Sequence, residues 1–301
     1  MWQIASIGEV LLDLLPTGAR LGGAPAAAAW YCAETGAQGW LLSAVGEDKH
    51  GRRVLRDLQE RRLPADYVVK NPAQPTGEVR VHYDANGKAI YHFLEDVAWD
   101  HLQMTPSWAE LAGKVNAVIF GTVAQRAEES RKTIYEFLDA AAPDALRLFD
   151  LHLRYPYYSS EILEQSFRRA SAAKMSRSEL PVVARWLGMD GADGESVAKV
   201  LMERYPALRC IALTRGEDGS LLFTRGKIYE CGGFYADQFV NGSGSGEAFS
   251  VVLCLGILNG ADLQAVNEEA NRAACCVCCE PDILAPLSDE VLDSLQKARI
   301  I

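Results

Sequence analysis

The sequence of 301 residues has no run of basic side chains, and its net charge is −10. Proteins that bind nucleic acid usually carry a cluster of lysines and arginines, so nucleic-acid binding is not expected. Apolar runs are also short: Ala24–Ala29 is far below the length that crosses a bilayer, which predicts no membrane span. The first residues lack a basic segment followed by a long apolar stretch, so we expect no signal peptide and a cytoplasmic protein.

The chain also lacks a long linker, a break in composition, an internal repeat and a low-complexity tract. Hydrophobic residues make up 49% of it, which is typical of a folded protein with a substantial core. We therefore predict one domain over residues 1–301.

Cysteine is concentrated in one place, because four of the 8 cysteines lie in the run Cys275–Cys279. Adjacent residues of a helix or strand point in different directions, and no histidine lies nearby, which argues against a metal site. Free cysteine packs like a small apolar side chain. We interpret this run as packing residues, with metal or disulfide bonding as the less favoured alternative.

The most informative stretch is rich in glycine: within Phe239–Phe249, Gly242, Gly244 and Gly246 alternate with serines. Glycine permits sharp turns and leaves backbone N–H groups uncovered. A helix that begins just after such a loop directs its unpaired N–H groups and its positive dipole end into one space, which suits a phosphate. A carboxylate beside a phosphate, here Glu247, suggests proton transfer or metal binding. A flexible turn before a buried helix is an equal alternative for this stretch alone.

Strand and helix patterns alternate along most of the chain, which favours a mostly parallel sheet with helices on both faces. Trp2–Leu15 is predicted as a strand, Ala26–Glu34 as a helix and Gly39–Val45 as the next strand. Later strands are predicted at Val115–Phe120, Leu146–Leu151, Ala172–Met175 and Cys210–Thr214.

The alternation of strands and helices is interrupted between Pro75 and Phe93. Two runs of alternating polar and apolar residues flank Asp84–Gly87, and Asn-Gly between such runs is a strong hairpin signal. A hairpin inserted in an α/β chain is a candidate lid or dimer flap.

Several polar residues follow predicted strands. Ligands of open parallel sheets bind beyond the C-terminal strand ends, which favours Asp150 and Arg154 as functional residues. Asp13 lies among apolar residues, and a turn or strand-end role is the simpler interpretation from sequence alone. Ser176 and Glu179 have the spacing of a capping box, which is at least as simple as a catalytic role.

Taken together, the ordered motifs resemble the PfkB/ribokinase family of sugar kinases, and within it the bacterial fructokinases. The resemblance spans nearly the whole chain. It implies a ribokinase-like three-layer α/β/α sandwich with a small inserted β lid, at about residues 75–97 and 14–21, through which a homodimer is plausible. The segments that carry it are Gly8–Asp13, Leu21–Ala26, Glu95–Asp100, Phe149–Arg154, Leu213–Gly219 and Gly244–Glu247.

The resemblance also implies ATP and Mg²⁺ as cofactors and a set of site residues. The implied catalytic groups are the base Glu247, the anion-binding Gly244, Ser245 and Gly246, and Arg154. The implied sugar-binding positions are Asp13, Gly22, Gly23 and Ala27. The implied ATP-binding residues are Thr214, Gly216, Gly219 and Asn271, and Glu179 is the residue that would hold water around Mg²⁺.

Five positions depart from the family pattern. Ala27 replaces a sugar-binding Asn and cannot make its hydrogen bond. Asn241 replaces an Asp that is often linked to a monovalent cation, which makes that cation doubtful, while His152 and Ser176 replace two further Asn residues. Glu247 replaces the catalytic Asp and is one methylene longer, and a misplacement of about 1 Å can cost on the order of a hundredfold in rate.

Two hypotheses follow from the motifs and their departures. One is a fructokinase-like ATP:sugar phosphotransferase, and the other is a weakly active or inactive relative with a binding or regulatory role. An unrelated nucleotide-binding protein is a weaker alternative, because one glycine-rich loop would not bring the other motifs with it.

Overall fold

The computed structural model describes residues 1–16, 18–83, 89–235 and 239–301 of the chain. The strands are β1 Gln3–Ile7, β2 Leu11–Leu15, β3 Gly18–Gly22, β4 Gln38–Gly46, β5 Val68–Asn71, β6 Gly77–Tyr83, β7 Ala89–Phe93, β8 Ala117–Phe120, β9 Leu146–Asp150, β10 Ala172–Ser176, β11 Cys210–Thr214, β12 Ser220–Phe223 and β13 Ile228–Cys231. The helices are α1 Ala24–Glu34, α2 Lys49–Glu60, α3 Pro106–Ala112, α4 Glu128–Ala140, α5 Ser160–Arg169, α6 Leu180–Trp186, α7 Gly194–Arg204, α8 Ser245–Leu258, α9 Leu263–Cys278 and α10 Asp289–Lys297. Across these ranges, no helix combines the length and the apolar character that a membrane span needs.

The central sheet has the strand order β13-β12-β11-β10-β9-β8-β1-β4-β5. Its strands from β11 to β5 in that order are parallel, whereas β12 and β13 are antiparallel at one edge. Because parallel strands share one direction, their C-terminal ends meet at the same edge of the sheet. This arrangement confirms the predicted mostly parallel sheet.

Helices cover both faces of the central sheet, because its strands carry apolar side chains on both sides. In β8, Ala117 and Ile119 belong to one core, and Val118 and Phe120 belong to the other. The first core is completed by α1, α8, α9 and α10, and the second by α3 to α7. The result is the predicted three-layer α/β/α arrangement.

A second sheet, in the order β3-β2-β6-β7, lies apart from the first. The prediction of one strand over Trp2–Leu15 is therefore wrong. The chain leaves the central sheet at Gly8, which has a φ of 151°, and enters the second sheet at Leu11. A Cβ at Gly8 would press against the ring of Pro25, so a side chain would obstruct this crossing.

The inserted hairpin is formed by β6 and β7 of the second sheet, as the alternating pattern predicted. Its turn, predicted at Asp84–Gly87, lies outside the described residues. The second sheet also takes in all of β2 and β3, so the first segment begins at Leu11, earlier than the predicted 14–21.

Candidate active site

A cavity of about 840 Å³ opens between the C-terminal ends of the central strands and the second sheet. Ligand pockets in proteins typically measure ~300–1,000 Å³. The walls come from β2 and β7 on one side and from the exits of β9, β10 and β11 on the other. The loop before α8 and the first turn of that helix complete the cavity.

The glycine-rich stretch leads into α8, whose N-cap is Gly244 with a left-handed φ of 85°. A Cβ at this position would overlap the carbonyl oxygen of Ile283. Within the described residues, no N-cap side chain occupies the first N–H groups of α8, and groups of this kind can meet an anion. These residues line the cavity, which makes the start of α8 a candidate phosphate site.

The loop is tied to the end of α9, which argues against a merely flexible turn. Asn241 accepts a hydrogen bond from the N–H of Ser243 (2.7 Å) and donates to the carbonyl of Glu280 (2.9 Å). The carbonyl of Cys278 accepts from the N–H of Val240 (2.9 Å). The cysteine run therefore lies on the last turns of α9, where its backbone supports the loop.

Glu247 is the third residue of α8 and is 5% exposed, at the inner wall of the cavity. Burial raises the pKa of its carboxyl, and the charge of Asp150 raises it further, while Lys174 and Arg154 oppose the shift. The Nδ1 atom of His152 lies 3.5 Å from Glu247 Oε1. Burial and two neighbouring cations hold the pKa of His152 well below its usual range, so this contact joins a neutral imidazole to the carboxyl.

Lys174 was not among the residues singled out from the sequence, although it lines the cavity. Its ammonium donates to Asp150 Oδ1 (2.8 Å), and Asp150 Oδ2 accepts from the hydroxyl of Ser250 (2.7 Å). Burial alone would lower the pKa of Lys174, but Asp150, Glu247 and nearby Glu179 raise it, so the side chain stays charged. A Cβ on Gly246 would come 2.9 Å from Lys174 Nζ, which places this cation directly against the first turn of α8.

A signal for Lys174 was present in the sequence. It is the one charged residue in the apolar strand Ala172–Met175, and a buried charge requires a partner. The pattern alone could not identify that partner, because Asp150 comes from the neighbouring strand β9 and Ser250 from α8.

Asp13 lies in the middle of β2, not at a turn or a strand end. It lines the cavity, and burial raises the pKa of its carboxyl to about 6. A Cβ on Gly22 would come 2.6 Å from Asp13 Oδ2, so the glycine on the paired strand makes room for the carboxyl. Gly23 also lines the cavity, with a φ of 110° at the start of α1.

Ala27 does not line this cavity. It lies in the first turns of α1 with no exposed surface and packs in the core between α1, α8 and the central sheet. The structure therefore separates Ala27 from the other residues that were expected to contact a sugar.

The residues expected to contact ATP divide into two groups. Thr214, at the end of β11, lines the cavity, whereas Gly216 and Gly219 lie in the turn that follows and do not line it. Asn271 is buried in α9 and donates to Ser220 Oγ (2.6 Å) and to the carbonyl of its own helix neighbour (2.7 Å). Asn271 therefore supports the turn that contains Gly216 and Gly219 through Ser220, from the side of α9.

Glu179 lines the cavity and links two strand exits. Its Oε1 accepts from the N–H of Leu153 (2.7 Å), and its Oε2 accepts from the N–H (2.7 Å) and hydroxyl (2.8 Å) of Ser176. The bond back to Ser176 is one half of a capping box, but the helix N-cap is Glu179 itself, so α6 begins later than that motif implies. Among the described residues, no group of three or more acidic, histidine or cysteine side chains is arranged to hold a metal ion.

Two more charged residues of the cavity lining are Arg154 and Glu9. Arg154 lines the cavity from the loop after β9, as predicted for a residue beyond a strand end. Glu9, which the sequence analysis did not single out, is 5% exposed and also lines the cavity. Burial raises its pKa to about 7. Carboxyls and cations thus converge on the first turn of α8.

Relatives of known sequence and structure resemble nearly the whole chain. A fructokinase of Klebsiella pneumoniae is 28% identical over 271 residues, which cover 85% of this chain and 84% of its own. An uncharacterized sugar kinase of Pyrococcus horikoshii, solved in complex with ATP, is 25% identical with a TM-score of 0.83, and the match covers 99% of this chain and 100% of that one.

The fold likeness extends to more distant structures. Ribokinase of Thermotoga maritima is 14% identical, with a TM-score of 0.79 over 99% of this chain and 100% of its own, which confirms the predicted ribokinase-like fold. Residues 16–289 match the model of one family, described as pfkB family carbohydrate kinase. The chain therefore belongs to the pfkB family of carbohydrate kinases.

Proposed function

We propose that this protein is an ATP-dependent kinase that phosphorylates a hydroxyl group of a sugar, with fructose as the first candidate. The proposal rests on one observation: Glu247, Asp13 and the first turn of α8, with its N–H groups, line the same cavity. Fructose is the first candidate because the relatives include fructokinases.

Glu247 is the proposed catalytic base. Its carboxylate would accept the proton of the attacking sugar hydroxyl as the oxygen forms its bond to the γ-phosphorus of ATP. The bond from that phosphorus to the β-phosphate oxygen breaks, and its electron pair leaves with ADP. A general base of this kind typically contributes ~10²–10⁴-fold to the rate.

Backbone N–H groups, the dipole of α8 and two cationic side chains would stabilise the phosphoryl group during its transfer. The N–H groups of Ser245 and Gly246 and the positive end of the α8 dipole face the space where negative charge develops. Lys174 lies against Gly246 and adds a full charge, and Arg154 supplies a second cation from the loop after β9. Thr214, Gly216 and Gly219 are the proposed contacts of the remaining ATP phosphates, and Asn271 holds their turn.

Magnesium is the expected partner of ATP, since it binds phosphates and keeps several of its waters. Glu179 fits a role at the edge of that hydration shell, because it lines the cavity but already accepts three hydrogen bonds from the chain. When bound, the ion would offset the negative charge of the phosphates. The protein's own contribution is to orient Glu179 through Leu153 and Ser176.

The sugar would lie between Asp13 and the first turn of α8. Asp13 would accept hydrogen bonds from sugar hydroxyls, and the backbones of Gly22 and Gly23 would allow close approach. The second sheet would act as the lid of this pocket, which would exclude water and protect ATP from hydrolysis.

The test is a coupled assay of ADP release with Mg²⁺, ATP and a panel of fructose, other ketoses, ribose and nucleosides. We expect fructose or another ketose to raise turnover, and Glu247→Gln to lower kcat by ~10²–10⁴-fold. Glu195→Gln is the matched control, because Glu195 is an exposed carboxylate in the first turn of α7, away from the cavity.

The pH profile adds a second readout to this test. Because burial raises the pKa of Glu247, its base form is present only above that raised value and is lost as the pH falls through it. We expect kcat/KM to decline on the acid side above pH 4.5, the ordinary value for a glutamate. A sugar-dependent rate that is equal in wild type and Glu247→Gln would overturn the role of this residue.

The alternative is a weakly active or inactive relative that binds ligands. The extra methylene of Glu247, compared with the Asp of the family pattern, favours this alternative. Calorimetry that detects binding of ATP and fructose without turnover would support it. Activity that arises only in Glu247→Asp combined with Ala27→Asn would do the same.

A further inference from the structure

A second, much smaller cavity lies behind the catalytic wall. Its volume is about 20 Å³, and its lining includes Ser6, Glu9, Asp150, His152 and Glu247. A space that admits ~10–15 Å³ of probe volume can hold one water molecule if polar groups surround it. Glu9 and Glu247 both line this water-sized space as well as the main cavity.

The hydroxyl of Ser6 identifies a need for a ligand in this space. Ser6 is 1% exposed, and its Oγ has no hydrogen-bond partner within the described part of the chain. Buried hydroxyls in proteins are normally satisfied, either by protein atoms or by an ordered water. A water in the small cavity would satisfy Ser6 and reach the two carboxyls that line the same space.

The two carboxyls also interact through their charges. Each has its pKa raised mainly by burial, and the charge of Glu247 raises the pKa of Glu9. Glu9 accepts the N–H of Ala24 at the start of α1. The other titratable or charged groups that face the pair are Tyr31 from α1, Asp150, His152 and Arg154 from β9 and its following loop, and Lys174 from β10.

We propose that Glu9 and Glu247 share one proton through a water held by Ser6, and that Glu9 is the member that carries it. This assignment rests on the proposed function, in which Glu247 must be ionised to act as the base. Lys174 favours the ionised form of Glu247. With the proton on Glu9, the pair has one negative charge beside the phosphates instead of two.

With this assignment, every proton of the reaction is accounted for. Glu247 is ionised when the substrates bind and takes the proton of the sugar hydroxyl as the phosphoryl group moves to the sugar oxygen. Both carboxyls are neutral at that point, and one proton leaves to solvent with the products. Glu9 is a positioning residue in this scheme, because it sets the charge of Glu247 and does not touch the reacting atoms.

The test is an infrared titration of the neutral carboxyl C=O band in the ligand-free protein, which needs no turnover. We expect Glu9→Gln to remove a band with a midpoint at about 7. In Glu247→Gln the Glu9 band should remain, with its midpoint lowered by about 1 pH unit, because the like charge is gone. Glu34→Gln is the control, because burial also raises the pKa of the Glu34 carboxyl. Glu34 lies at the far end of α1, where its carboxyl accepts a hydrogen bond from the N–H of Leu287.

The outcomes separate this inference from the proposed function. An equal Glu9 midpoint in wild type and Glu247→Gln would overturn proton sharing, even if the sugar assay shows full activity. A lowered Glu9 midpoint in Glu247→Gln, in a protein whose wild type shows no turnover with any sugar, would support the shared proton and contradict the proposed kinase activity. A high-resolution crystal structure should show one water within hydrogen-bond distance of Ser6 Oγ and both carboxyls, and a dry cavity would contradict the bridge. If Glu9→Gln fails to fold, the midpoint of the Glu9 band in Glu247→Gln alone decides whether the two carboxyls share a proton.

Discussion

At the scale of single residues, the site depends on charges taken out of water. Lys174, Asp150 and Ser250 form one connected buried group, and its cation lies against the first turn of α8. A buried charge that loses its partner is costly, whereas a pair replaced as a whole often is not. This difference allows the structural role of Lys174 to be separated from its role at the phosphate.

We expect Lys174→Met to destabilise the protein by about 3–5 kcal/mol, because Asp150 is left buried and unpaired. The double variant Lys174→Met with Asp150→Asn should recover most of that stability. Its kcat should stay ~10²–10³-fold below wild type, since a stabilising charge at the phosphate is missing. Urea unfolding and the coupled assay measure the two effects, and Lys132→Met, in an exposed ion pair, is the control. Wild-type activity in the double variant would refute the phosphate role.

At the scale of elements, α8 links the fold to the chemistry. Most of its length is buried between the central sheet, α1 and α9, so its position is fixed by packing on all sides. Its N-terminus is then held at the cavity by the left-handed Gly244 and by the loop that is tied to α9. The geometry of the phosphate site is thus set by the packing of α8 together with the loop that precedes it.

Two glycines at the ends of α8 provide a matched pair for testing this. Gly244 has a φ of 85° and Gly260 has a φ of 63°. A Cβ at Gly260 meets no atom within 4 Å, whereas one at Gly244 overlaps Ile283. We expect Gly260→Ala to cost about 1–2 kcal/mol through its backbone conformation alone. Gly244→Ala should cost more and should also weaken ATP binding, as measured by thermal unfolding and calorimetry. Equal costs with unchanged ATP binding would contradict the role of the Gly244 conformation in holding the phosphate site.

At the scale of the whole molecule, the cavity joins two sheets, so a ligand bound there should stabilise both. ATP at a hundred times its Kd adds about 2.7 kcal/mol if it binds only the folded state. For a protein of 301 residues that corresponds to roughly 4 °C in Tm. Differential scanning fluorimetry should show this rise in wild type and in Glu247→Gln, which keeps the phosphate site, and a smaller rise in Gly244→Ala. No rise with ATP in the wild type would argue against nucleotide binding at this cavity.

A homodimer through the second sheet stays a prediction at this scale. Light scattering at assay concentrations would distinguish the mass of one chain from that of two. Removal of the hairpin formed by β6 and β7 should abolish the dimer if the sheet is its interface.

Much of the fold was accessible from local patterns. The strands predicted at Leu146–Leu151 and Cys210–Thr214 follow the observed bounds closely, because a short apolar run bounded by turn residues is a property of neighbouring residues. The same holds for the start of α8, where glycine, serine and Glu247 lie together in the sequence. Trp2–Leu15 was predicted wrongly as one strand, since a run of apolar residues does not reveal which sheet each half will join.

By itself, the sequence determined the alternation of strands and helices, the glycine-rich entry to α8 and the order of motifs that resemble the kinase family. The tertiary structure alone decided which charges meet. Lys174 with Asp150, and Glu9 with Glu247, are pairs formed by residues far apart in the chain. The tertiary structure likewise decided that Ala27 packs in the core. Burial and partners depend on which elements the topology packs together, and those contacts set the charge of each group in the cavity.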